Sequence, residues 1–198
     1  MNNNENLFYI RYLQWKFYFS KNQYVKAIFF LENFLFDNFN KSEETMILNL
    51  KLKWIYDQIA NGDFSNKISK NLIILHNAAN KDEILDLIEY YSNSVIDMDE
   101  GNLFDFFKVF NSKLNSLIKI NKLEVLRTSA LFQKLQFTYK NNLDIDKASV
   151  KKEYANLSDL NLDIFELVFI ELFFKTKKLQ KISKTFFLIK LLIKFIKK

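Results

Sequence analysis

The chain has no cysteine and no proline, only two glycines and a single histidine among its 198 residues. Without cysteine there is no disulfide framework, no thiolate zinc site and no haem-thiolate site, and nothing points to an oxidising compartment. With only Gly62 and Gly101, a glycine-rich phosphate loop is excluded. With only His76, a histidine-rich metal site is excluded by count as well. No apolar run reaches the ~18 uncharged residues of a membrane-spanning helix, because lysines or acids interrupt each one. The start, Met1-Asn2-Asn3-Asn4-Glu5-Asn6, has neither the basic segment nor the apolar stretch of a secretory signal. A cytoplasmic protein, or one peripheral to the inner membrane face, is the expectation.

What the chain does contain is apolar bulk: 49% hydrophobic residues and 22 phenylalanines. A sequence so poor in helix breakers and so rich in long side chains reads as an all-α, single-domain bundle of about ten helices over 1–198. The joint excess of Phe, Lys, Asn and Ile is what codon bias in an AT-rich genome produces, so the Phe count does not by itself point to aromatic recognition.

Apolar periodicity and capping residues place the helices at Leu7–Phe19, Gln23–Phe39, Ser42–Ala60, Ser65–Leu75, Asn80–Ile96, Leu103–Ile120, Leu123–Tyr139, Lys147–Tyr154, Leu160–Thr176 and Ser183–Lys197. Ser20-Lys21-Asn22 separates the first two. Ser42 and Ser65 read as N-caps, and Gly62 as a helix stop. Leu103, Phe106, Phe107, Phe110, Leu114, Leu117 and Ile118 recur at three- and four-residue spacing, a core-facing stripe.

The acids form three groups: Asp37 with Glu43 and Glu44; Asp82, Glu83, Asp86 and Glu89; and Asp97, Asp99 and Glu100. Each has the composition of a Mg²⁺ site and, more simply, of a helix start or solvated turn, where the helix dipole favours acids. His76, behind Leu72-Ile73-Ile74-Leu75, reads as a capping or half-buried residue. No catalytic residue is expected.

Charge is concentrated at the end. Nine lysines and no acid lie between Lys175 and Lys198, leaving about −3 for residues 1–174. Lys190, Lys194 and Lys197 share one helix face. Either the terminal helix packs on the bundle with these lysines and Lys198 reaching out, or it lies on an anionic membrane. In both cases Lys190, Lys194, Lys197 and Lys198 are the candidate contacts. Nucleic acid is disfavoured, because aromatic residues do not interleave with the lysines.

Several segments resemble the squalene/phytoene synthase family, particularly the branch that includes a mitochondrial complex I assembly factor. They are Arg11-Tyr12-Leu13 with Phe17, Ala27–Leu31 with Asn33, and Leu50–Ile59 before Gly62, which is similar to that branch's "IRLQWWRDAL…G" signature. Ile88–Asp97 resembles its "IDARxxDLY" region, Leu103–Ile120 the helix after it, and Leu160–Lys198 its closing helices. The resemblance touches most of the chain, although the chain is short for the family.

It implies the isoprenoid synthase fold, in which Mg²⁺ bridges prenyl diphosphates to two aspartate-rich motifs facing a central cavity. Here the first motif falls on Asp37-Asn38-Phe39-Asn40-Lys41, keeping only Asp37 as a vestigial metal ligand. The second falls on Gln133 and Phe137, before Lys140–Leu143, and has no acid. The "IDARxxD" acids become Glu89 and Ser94. The resemblance therefore implies a degenerate, non-catalytic member without a cofactor. Such a member would act as an assembly or partner-binding factor with a protein partner, and with an anionic membrane or prenyl lipid as further ligands. The alternatives are a divergent Mg²⁺-dependent prenyltransferase using Asp97, Asp99 or Glu100, and a helical scaffold or nucleic-acid-associated protein.

Overall fold

The computed structural model describes residues 8–38, 45–62, 69–95, 102–118, 130–141, 143–155, 163–175 and 184–196. They form ten helices and no strand: α1 (Tyr9–Phe17), α2 (Gln23–Asp37), α3 (Thr45–Asn61), α4 (Lys70–His76), α5 (Lys81–Val95), α6 (Leu103–Ile118), α7 (Ala130–Lys140), α8 (Lys147–Ala155), α9 (Ile164–Lys175) and α10 (Lys184–Ile196). The helices gather into two compact units, Met1–Leu123 and Glu124–Lys198, where the sequence, having no linker signal, reads as one domain. The boundary falls among residues outside the described set.

In the first unit α2 is the central element, packing on α1, α4 and α6. Its start is fixed by Asn22, whose Oδ1 accepts hydrogen bonds from the backbone N–H groups of Tyr24 (2.8 Å) and Val25 (3.2 Å). This satisfies donors that have no partner within the helix. The turn before it carries Ser20 and Lys21 at φ 47° and 60°, so the polar break seen in the sequence is a left-handed corner. Val25, Ile28, Phe29, Leu31, Leu35 and Phe36 of α2 are all buried.

The stripe expected on α6 is buried in full. Phe106, Phe107 and Phe110 meet Phe36 of α2 and Tyr91 of α5 in one aromatic cluster, with ring centroids 4.9–6.3 Å apart. Such edge-to-face and offset pairs add to the area they bury. Burial also raises the Tyr91 hydroxyl well above the ordinary tyrosine pKa, with the charge of Asp37 adding to the effect. That hydroxyl donates to the Leu35 carbonyl at 2.8 Å.

Gly62 ends α3 as the sequence suggests, at φ 68°. His76 supplies the rest of the cap: its Nδ1–H donates to the Ile59 carbonyl at 2.7 Å, and Lys81 Nζ reaches the Ala60 carbonyl at 3.3 Å. α4 begins after Ser69, whose Oγ accepts from Asn71 N–H (3.2 Å); Ser42 and Ser65, the N-caps expected from the sequence, lie outside the described residues. A Cβ at Gly62 would stand 2.6 Å from His76 Nε2. Gly62→Ala is therefore expected to lower stability by about 2 kcal/mol, from the left-handed backbone and the displaced cap. In thermal melts, adding His76→Ala to it should cost less than the two single losses together.

In the second unit α9 packs on α7 and α10, and α8 on α7. Asp163 caps α9, its Oδ2 accepting from Phe165 N–H (3.1 Å) and Glu166 N–H (3.0 Å). Asp146 caps α8 with both oxygens, Oδ1 accepting from Ala148 N–H (2.9 Å) and Oδ2 from Ser149 N–H (3.0 Å). Phe132 and Tyr139 of α7 meet Phe169 of α9 at 5.5 and 6.2 Å.

Candidate functional site

Of the residues matched to the first aspartate-rich motif, Asp37 and Asn38 are described. Asp37 is exposed at the end of α2 and accepts a hydrogen bond from Asn33 Nδ2 at 2.6 Å. Asn38 closes the helix, its N–H bonded to the Phe34 carbonyl. Phe39, Asn40, Lys41, Glu43 and Glu44 lie outside the described residues, as do Asp97, Asp99 and Glu100. Of the second acidic group, Asp82 and Glu83 sit in the first turn of α5, and Asp86 pairs with Lys113 of α6. Glu89 faces Tyr56 of α3. Gln133 and Phe137, at the second motif, are both buried on α7. Among the described residues, no three His, Asp or Glu side chains converge as metal ligands would.

Two buried polar constellations were not legible in the sequence. In the first, Arg11 of α1 is fully buried against Glu32 of α2: Nε meets Oε2 at 2.6 Å and a terminal nitrogen meets Oε1 at 2.7 Å. The other terminal nitrogen donates to Gln14 Oε1 at 2.8 Å, and the guanidinium lies 5.0 Å from the centroid of the Phe29 ring. This fork-on-carboxylate geometry is the strong form of the interaction. In the second, Lys134 of α7 donates to Glu153 of α8 at 2.9 Å, nearly out of solvent. α7 is buried all round from Leu131 to Thr138, and both polar atoms of the Gln136 amide are buried without a hydrogen-bond partner.

Of the four lysines expected to reach out from the terminal helix, Lys190 and Lys194 are among the described residues. Phe187 and Leu191 are buried, and Lys190 and Lys194 turn to one carboxylate, Glu171 of α9. Lys194 Nζ is hydrogen-bonded to Glu171 Oε1, and Lys190 Nζ stands 3.9 Å from Oε2. The reason lies in the register. Helical residues four apart share a face, so the lysine pair that would face solvent is placed beside the one acid that α9 offers on that side.

What faces out instead is apolar. Leu188, Ile189, Leu192 and Ile193 are 40%, 49%, 61% and 48% exposed. They make two adjacent rows a turn apart, with no charge between them. Lys197 and Lys198 lie outside the described residues. No helix among the described residues is long and apolar enough to cross a membrane.

No family model, curated protein or solved structure matches the chain.

Proposed function

We propose that the chain is a non-catalytic helical protein that lies against an anionic membrane surface through α10, and there serves a protein partner as an assembly or maturation factor would. The observation that carries this reading is the uncharged, exposed face of Leu188, Ile189, Leu192 and Ile193 on a helix set in an acid-free, lysine-rich segment. A helix with that distribution gains by sinking its apolar side to the headgroup boundary while lysines meet anionic lipid. Its length of 13 residues, about 20 Å, suits lying in the interface plane. The resemblance to squalene/phytoene synthases agrees with a non-catalytic role, since of its aspartate-rich positions only Asp37 carries a carboxylate.

Co-sedimentation with vesicles tests this. The chain should pellet with phosphatidylcholine vesicles containing phosphatidylglycerol, and less as salt rises. Leu192→Asp, on an exposed position, should weaken binding about tenfold or more, the cost of losing one buried leucine and immersing a charge. Vesicle binding indifferent to that substitution would sink the proposal. Conversion of farnesyl diphosphate with Mg²⁺ to a longer prenyl product would establish the enzyme reading in its place.

A further inference from the structure

Among the described residues, the seam between α9 and α10 carries more positive than negative charge. Lys190 and Lys194 share the single carboxylate of Glu171. Lys175, one turn after Glu171 on α9, stands beside Lys190 as a further positive charge. Lys175, Lys190 and Lys194 with the one carboxylate of Glu171 leave an excess of two positive charges along this seam. Lys190 is four-fifths withdrawn from solvent, while Lys175 is exposed. Burial and the nearby Lys175 hold the Lys190 ammonium below the ordinary lysine pKa. Of Lys190 and Lys194, Lys190 lies nearer the exposed face on the helical wheel, about 60° from Ile193.

We propose that Lys175, Lys190 and Lys194 form a headgroup site for a phosphomonoester lipid, whose near-dianionic phosphate matches the excess charge while the acyl region meets Leu188, Ile189, Leu192 and Ile193. This deepens the membrane reading above and rests on it. A phosphodiester headgroup, carrying one negative charge, leaves part of the excess uncompensated; a phosphomonoester carries about −1.5 to −2 and offers three acceptor oxygens to three donors. Glu171 competes with the phosphate for the same lysines.

The full-length chain is titrated with phosphatidylcholine vesicles containing phosphatidic acid or phosphatidylglycerol, matched for surface potential, with and without inorganic phosphate. Phosphatidic acid vesicles should bind roughly tenfold more tightly. Lys175→Gln with Lys190→Gln should erase that preference while leaving phosphatidylglycerol binding, and Glu171→Gln should strengthen binding to both. Equal binding to the two vesicle types by the unaltered chain overturns the headgroup site and leaves the membrane reading standing. Absence of binding to either overturns both. Tight binding of inorganic phosphate that matches the vesicles and is lost in the lysine variant assigns the seam to a free anion and overturns the lipid assignment. Circular dichroism melts of the variants separate lost binding from lost folding.

Discussion

Glu32→Ala is expected to destabilise the protein by about 3–5 kcal/mol in denaturant unfolding, enough to remove a large part of an ordinary domain's stability. Arg11 and Glu32 are both wholly inaccessible, and the substitution leaves a buried guanidinium without the carboxylate that accepts from its Nε and one terminal nitrogen. The same logic makes the reverse expectation for the pair. Arg11→Met with Glu32→Leu removes both charges and fills similar volume, so the double variant should lie within about 1 kcal/mol of the parent or above it. A double variant as unstable as Glu32→Ala alone would mean that the pair contributes net stability and is more than a satisfied burden.

Phe36→Ala should cost about 3–5 kcal/mol. Phe36 is fully buried and shares contacts with Tyr91, Phe107 and Phe110, so its removal opens a void bounded by three rings, each held by its own neighbours. Rigid rings close over a gap poorly, which places the cost toward the upper end. Phe36→Leu, which keeps most of the volume, should recover more than half of the loss in the same urea titration. A Phe36→Ala variant with an unchanged midpoint would show that the cluster is not packed as described.

The helices were legible because their signals are local. The α6 stripe follows from spacing alone, and Ser20-Lys21-Asn22 and Gly62 mark turns by composition. α7 was harder to bound: from Leu131 to Thr138 it is buried on every side, so it lacks the polar face that gives a helix its period.

The candidate site was legible only in composition. The sequence marks out the lysines of the terminal helix, yet their direction depends on where α9 presents Glu171, 23 residues from Lys194 in the chain. A helical wheel cannot say which of two workable faces is covered. The Arg11–Glu32 pair was hidden for the same reason: the partners are 21 residues apart, and each alone reads as a surface charge.

The way the helices pack also bears on how quickly the chain finds its fold. Most packed pairs are neighbours in sequence: α1 with α2, α3 with α4, α4 with α5 and α5 with α6 in the first unit, and α7 with α8 and α9 with α10 in the second. Contacts of this kind close small loops and are reached early, which places such chains among the fast folders. With no proline in the sequence, slow prolyl isomerisation adds no delay. Each unit can therefore assemble largely from its own consecutive helices, in the order in which they leave the ribosome.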